Sequence, residues 1–200
     1  MYPGEKMQTN DLPGLVFIGY QVKVPWIPDA SWDPEKRTGV VEVCSVSDCL
    51  SSRPPDWVQH WTHNRAWCYS TADQALATVP STNGRKYDLF AYWAALRTFI
   101  DGRWKDLGPD DLFGADLPVL PGGDGPDECD ILGFDVVCWG QWKDLGCSPL
   151  SCNLMARDYK VNAYCLVPEL GEALRMVEAF TTEQGEPGPY LAVRVARVPL

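Results

Sequence analysis

Histidine is nearly missing from this chain: His60 and His63 are the two that occur in 200 residues. General acid–base work near neutral pH most often falls to histidine, so the sequence shows almost no polar constellation of the catalytic kind. No apolar run approaches the ~20 residues that a membrane-spanning helix needs. Met1 to Lys6 lacks a charged segment followed by an apolar stretch, so it does not read as a secretory signal. Runs of Lys or Arg are also missing, and the densest cluster, Glu35-Lys36-Arg37, carries an acid with it. With a net charge of −10 and a pI near 4.6, nonspecific attraction to nucleic acid or an anionic membrane is disfavoured. Phosphate loops, dinucleotide fingerprints, Gly-x-Ser-x-Gly elbows and His-Glu-x-x-His helices are all lacking.

What is present points to a folded protein. Hydrophobic residues make up 46% of the chain and nine are tryptophan, which is incompatible with a solvated disordered polymer. The chain suits one compact domain or two small fused lobes. Its two halves run in the same order. The first has Gly19-Tyr20, Cys44-Ser45-Val46-Ser47-Asp48-Cys49, Ala66-Trp67-Cys68, Ala75-Leu76 and Leu89-Phe90-Ala91-Tyr92. The second has Gly133-Phe134, Cys147-Ser148-Pro149-Leu150-Ser151-Cys152, Ala163-Tyr164-Cys165, Ala173-Leu174 and Tyr190-Leu191-Ala192-Val193. This order predicts an internal duplication: an α+β protein of two similar β-rich lobes, sharing a mixed or antiparallel sheet, with one main helix per lobe.

The chain divides accordingly into an N-terminal arm (1–14), a first β-α-β lobe (15–100), a Gly/Pro/Asp-rich connection (101–130) and a second β-α-β lobe (131–200). Strands are expected over 15–24, 38–43, 66–69, 87–99, 131–139, 161–167 and 190–198, the last a half-exposed closing strand. Helices are expected over 56–60, with Asp56 as cap, over 71–76 capped by Ser70, and from Pro168 to about Phe180. Leu154-Met155-Ala156 suits one helical turn. Trp-Lys-Asp-Leu-Gly occurs at 104–108 and again at 142–146, out of register with the duplication.

Chemistry concentrates on cysteine. Eight cysteines in a reducing cytoplasm read as thiols or metal ligands rather than as a disulfide framework. Zinc prefers such sulfur and nitrogen donors. One set would be Cys44, Cys49 and Cys68 with His60 or His63. Another would be Cys147, Cys152 and Cys165, with Cys129, Cys138 or an Asp as fourth ligand. The C-x4-C spacing is wider than the usual C-x2-C, and small buried structural thiols are the competing interpretation. A cysteine nucleophile, Cys147 or Cys152, would need His60 or His63 as base and Asn64 or Asn153 to orient it. Reversible disulfides Cys147–Cys152 or Cys44–Cys49 are a third option. The carboxylates at 110, 111, 124, 127, 128 and 130 suit a solvated loop better than a calcium site. The tryptophans suit packing between lobes or a groove for a partner or small ligand.

The stretch Gly133-Phe134-Asp135-Val136-Val137 with Cys147 to Asn153, Asn162-Ala163-Tyr164-Cys165-Leu166 and Ala173-Leu174 resembles a family of small bacterial proteins to which no activity attaches. The likeness is strongest over 131–198 and thins over His63-Asn64 and Leu89-Phe90-Ala91-Tyr92. It implies a bacterial, cytoplasmic origin. The functional expectation is a non-enzymatic binding or accessory module with a protein partner or small ligand, no direct nucleic acid and no membrane. The alternatives are a cysteine- or zinc-dependent enzyme and an acidic inhibitor or nucleic-acid mimic.

Overall fold

The computed structural model describes residues 13–60, 67–81, 84, 86–113, 124–139, 145–183 and 188–200. It is an α+β protein built on antiparallel strands. The main sheet joins β1 (Leu15–Lys23), β2 (Asp88–Ala95), β5 (Asp130–Cys138) and β6 (Tyr190–Val198) in the order β1-β2-β6-β5. A two-stranded hairpin, β3 (Arg97–Ile100) with β4 (Arg103–Asp106), follows β2. Among the described residues the helices are α1 (Trp57–His60), α2 (Ala72–Leu76), α3 (Pro109–Phe113), α4 (Pro149–Cys152) and α5 (Leu170–Glu183), with a 3-10 turn at Met155–Arg157. Among the described residues no helix is long and apolar enough to cross a membrane.

Strand alternation sorts the side chains onto two faces. One face carries Ile18, Phe90, Tyr92, Val137, Leu191, Val193 and Val195, and is covered by Cys44, Val46, Cys68 and Leu166 from irregular segments. On the opposite face Ala75 of α2 packs with Val22 and Leu89, and Leu174, Val177 and Phe180 of α5 pack with Val136 and Ala192. Between these helices lie Phe17, Ala91, Trp93 and Ala196. The loop before β5 seals them, with Trp93 Nε1 donating to the Asp124 carbonyl at 2.8 Å. Irregular segments, with Leu112 of α3, therefore cover most of one face, and α2 and α5 most of the other.

The outer strands share an irregularity. Register slips between Phe17 and Gly19 in β1 and between Ile131 and Gly133 in β5. Both glycines have positive φ, 123° and 142°, the usual means of seating a bulge. The next residues make isolated bridges, Tyr20 to Tyr69 and Phe134 to Val167, so each bulge admits a crossing segment. At Gly133 a Cβ would lie 2.8 Å from the Val167 carbonyl oxygen and 3.0 Å from Leu166 Cβ.

Several expected elements are replaced by side-chain-stabilised turns. Residues 161–167 form no strand, because Asn162 Oδ1 accepts from the Tyr164 and Leu166 amides, at 2.9 and 3.2 Å, and holds the chain in a turn. Residues 38–43 contribute the Val43–Trp26 bridge alone; Asp33 gathers the Arg37 and Thr38 amides into a loop before them. Of the strand expected over 66–69, Ala66 lies outside the described residues and 67–69 reduce to the bridge at Tyr69. Helix α2 is capped by Thr71, not Ser70, in a reciprocal box with Gln74. The connection holds β4 and α3, and the turn into β4 uses Asp101 and Gly102 with φ of 51° and 74°, the backbone of a tight hairpin. Strand β6 lies at the centre of the sheet, between β2 and β5. Its arginines are accommodated there by Trp93, 4.0 Å beneath Arg194, and by Glu42 and Asp88, 2.7 and 3.3 Å from Arg197.

Replacing Gly133 by Ala is expected to destabilise the fold by about 2 kcal/mol or more, from a Cβ at positive φ and from the contact with Val167. Urea unfolding of the variant against the parent chain measures this, and an unchanged midpoint would mean that the bulge tolerates a side chain.

Candidate thiol and metal site

The site is built on two buried charges that rise from the loop-covered face of the sheet. Asp135, two residues beyond the Gly133 bulge, is 0% exposed. Its carboxylate accepts from Ser45 Oγ at 2.7 Å, Val46 N at 2.9 Å, Ser148 Oγ at 2.6 Å and Val136 N at 2.9 Å. Burial pushes its pKa up, and these donors act in the opposite direction. Each serine follows the first cysteine of a C-S-x-x-x-C segment, so one carboxylate pins both segments side by side.

Lys23, at the end of β1, is 1% exposed. Its Nζ donates to the carbonyls of Ser45, Val46 and Ser47 at 3.1, 2.5 and 3.1 Å, and pairs with Asp48 at 2.8 Å. Burial pulls the Lys23 pKa down while Asp48 supports the charge. Arg53 holds the other Asp48 oxygen at 2.6 Å and stacks over Trp57 at 3.9 Å. Carboxylate and ammonium thus grip the same short segment, one by its donors and the other by its acceptors.

Local turns then aim the thiols. The Ser47 amide donates to Ser45 Oγ at 3.0 Å and the Cys49 amide to Ser47 Oγ at 3.2 Å, which curls the chain up to Cys49. In the second segment Pro149 opens α4, and the Cys152 amide closes the turn on the Ser148 carbonyl at 2.8 Å. Ser148 occupies the N-cap position without capping, because its hydroxyl is committed to Asp135. The buried Trp32 steadies the same helix by donating from Nε1 to the Ser151 carbonyl at 3.2 Å.

The outcome is a cluster in which Cys49, Cys147 and Cys152 hold their sulfurs within 4.8 Å of one another. Cys49 Sγ and Cys147 Sγ are 3.2 Å apart. Cys152 Sγ lies 3.4 Å from Ser47 Oγ and 3.7 Å from Ser151 Oγ. Cys49 is exposed and the other two are half-buried. Burial raises the Cys49 pKa, but hydrogen bonds from Ser47, Cys152 and Cys147 outweigh it and hold the thiol below its usual value. Cys147 is pushed up to about 12 by burial and by its bond to Cys49. Cys152 is likewise raised, first by burial. Cys49 therefore ionises before Cys147 or Cys152. The donor set of the cluster can hold a metal ion.

The site takes one cysteine from the first segment and two from the second, cutting across both ligand sets expected from spacing. Cys44, Cys68 and Cys165 are buried. Burial pushes Cys44 and Cys68 to about 12 and raises Cys165 as well. Cys129 and Cys138 are half-buried near the two ends of β5. His63 and Asn64, and the side chain of His60, lie outside the described residues, as does 142–144 of the second Trp-Lys-Asp-Leu-Gly. Of the acidic loop residues, Asp111 bonds the Gly108 amide at 2.9 Å and Lys105 at 3.5 Å. The described tryptophans do not form one groove: Trp26 meets Trp32, Trp57 meets Trp67, and Trp93 and Trp104 pack against separate phenylalanines. Lys23 and Trp32 carry the site without belonging to any motif, and Asp135 stood in the Gly133–Val137 stretch with no role assigned; for Lys23 and Asp135 the signal was a charged residue in each of two strongly apolar strands.

Comparisons of the chain with protein-family models, with curated proteins and with solved structures give no match. The geometry of the cluster therefore carries the functional assignment.

Asp135→Asn would turn one acceptor oxygen into a donor facing a backbone amide or a serine hydroxyl. It is expected to cost about 2 kcal/mol and to separate the two segments, whereas Ser148→Ala costs about 1 kcal/mol. Chemical denaturation ranks the two, and faster alkylation of Cys147 and Cys152 in Asp135→Asn reports the separation.

Proposed function

We propose that this chain is a binding module whose ligand is one thiophilic metal ion, zinc foremost, held by Cys49, Cys147 and Cys152. The observation that carries this is the convergence of three sulfurs within 4.8 Å on a scaffold that spends two buried charges holding them there. Zinc–sulfur bonds of about 2.3 Å place thiolates roughly 3.8–4.0 Å apart around one ion. The cluster reaches that spacing with shifts of under about 1 Å. Three ligands leave one position of a tetrahedral ion for a donor from outside the cluster, which gives a protein partner or small ligand its point of attachment. Binding is favoured over catalysis because Asp48, the carboxylate beside Cys49 in the chain, is already bound by Lys23 and Arg53.

The same scaffold supports an origin by duplication. The strand order β1-β2-β6-β5 pairs an outer strand with an inner one on each side of a β2–β6 seam. Both outer strands carry a glycine bulge followed by an aromatic bridge residue. On this interpretation Gln21 and Asp135 are matching positions, and both are buried polar groups that reach into the loop-covered layer.

Zinc titration of the reduced chain against a chromophoric chelator is expected to give about one ion per chain with sub-micromolar affinity. Cys49→Ser, Cys147→Ser and Cys152→Ser should each weaken it roughly 100-fold, and Cys129→Ser should leave it unchanged. Absence of zinc binding, or binding that survives the triple variant, overturns the assignment. Zinc takes thiolates, and burial keeps Cys147 and Cys152 protonated near neutral pH, so at least about two protons should leave per ion. Apparent affinity should accordingly rise with pH, which calorimetry in buffers of different ionisation enthalpy checks.

A further inference from the structure

We infer that the same cluster is an oxidation site, in which Cys49 reacts with hydroperoxides and Cys147 traps the product as a disulfide that cannot hold the metal. The inference rests on the metal-binding assignment for its regulatory consequence and on separate geometry for its chemistry. Cys49 is the exposed member of the three, so a small oxidant in solution reaches its sulfur first. Cys147 Sγ is 3.2 Å away, inside ordinary van der Waals contact, and an S–S bond of about 2.05 Å needs roughly 1.2 Å of further approach.

The two sulfurs differ in what holds them. Cys147 is fixed: its carbonyl accepts from the Cys138 amide at 2.9 Å, and its neighbour Ser148 is bound to Asp135. Cys49 lies in a surface turn, four residues beyond the Ser45 anchor, with its amide on Ser47 Oγ. Lys23 and Arg53 hold Asp48 just before it, so the required movement falls on the exposed Cys49 itself. Cys152 is the poorer partner, because its amide is committed to the first turn of α4 and its sulfur sits against Ser47 and Ser151.

The chemistry balances in two steps. The Cys49 thiolate attacks the outer oxygen of a hydroperoxide, the O–O bond breaks, and the leaving alkoxide or hydroxide takes up a proton, which leaves Cys49 as a sulfenic acid. The Cys147 sulfur then attacks the Cys49 sulfur, the S–O bond breaks, and the departing hydroxide leaves as water with the Cys147 proton. Two thiols lose two electrons, and the peroxide gains them. Two of three metal ligands are consumed, so oxidation expels the ion. Conversely, a bound ion occupies the sulfur lone pair that the peroxide needs, and protects the pair.

Hydrogen peroxide, added at about one equivalent to the reduced, chelator-treated full chain, tests this by non-reducing peptide mapping. The expected result is one cross-linked pair joining the Cys49 and Cys147 peptides. Cys147→Ser should accumulate a dimedone-reactive sulfenic acid on Cys49, and Cys152→Ser should still form the cross-link while losing zinc. The oxidised parent should bind no zinc and recover it after dithiothreitol, and zinc-loaded chain should oxidise roughly tenfold more slowly or less. A different pairing, an unmodified Cys49, or an oxidised chain that still binds zinc overturns the inference. A Cys49–Cys147 cross-link in a chain whose reduced form binds no zinc supports the oxidation site and removes the metal assignment alone.

Discussion

The structure depends on the way a carboxylate and an ammonium, both removed from water, divide one short stretch of backbone between them. Asp135 takes the Ser45 hydroxyl and the Val46 amide. Lys23 takes the carbonyls of Ser45, Val46 and Ser47. Each charge is costly to bury alone. Each becomes tolerable because an irregular segment supplies what it lacks, donors for one and acceptors for the other. The segment in turn has no sheet or helix to satisfy its own polar groups, so charge and loop complete one another. Ser148 brings the second segment to the same carboxylate, and the two thiol-bearing loops are fixed relative to one another as a consequence.

That arrangement explains why the four cysteines of the two segments have different fates. Cys44, the first cysteine of its segment, turns into the packed layer between loop and sheet, where burial keeps it protonated. Cys49, five positions on, emerges at the surface after the Ser47 turn. In the second segment the short helix α4 brings Cys147 and Cys152 to the same side. Similar motifs thus present unequal sets of thiols, because one folds as an irregular turn and the other as a helical one. The Pro149 at the helix start is the sequence difference that accompanies this.

The sheet beneath supplies rigidity. Its inner strands β2 and β6 are largely apolar on both faces, Arg194 and Arg197 apart, as suits strands covered on both sides. Glycines 19 and 133 let a crossing segment approach each outer strand closely enough to bridge it. Asp135, two residues past one of these bulges, is turned by strand alternation to the face where Ser45 and Val46 meet it.

Much of the fold could be read from the chain. The apolar strands β1, β5 and β6 and the helix expected from Pro168 to about Phe180, which forms at Leu170–Glu183, follow from local period and composition; β2 rests on analogy between the two halves, and the choice between a mixed and an antiparallel sheet stays open in the sequence. The hairpin turn at Asp101-Gly102 falls within the span that reads as a linker, because Gly/Pro density masks the turn. The false strands at 38–43 and 161–167 show where local pattern fails: Asp33 and Asn162 offer the backbone side-chain partners that compete with a ladder. The cysteine segments could be recognised as the place for chemistry, yet neither spacing nor composition indicates that Cys49 joins Cys147 and Cys152 while Cys44 does not. That choice depends on bringing together residues 98 apart in the chain, through a carboxylate on a third element. Side-chain period is a local property, and the sequence by itself determined what is local. Which thiols meet was decided only by the tertiary structure, because the energy that selects them lies in burying Asp135 and Lys23 against segments distant in sequence.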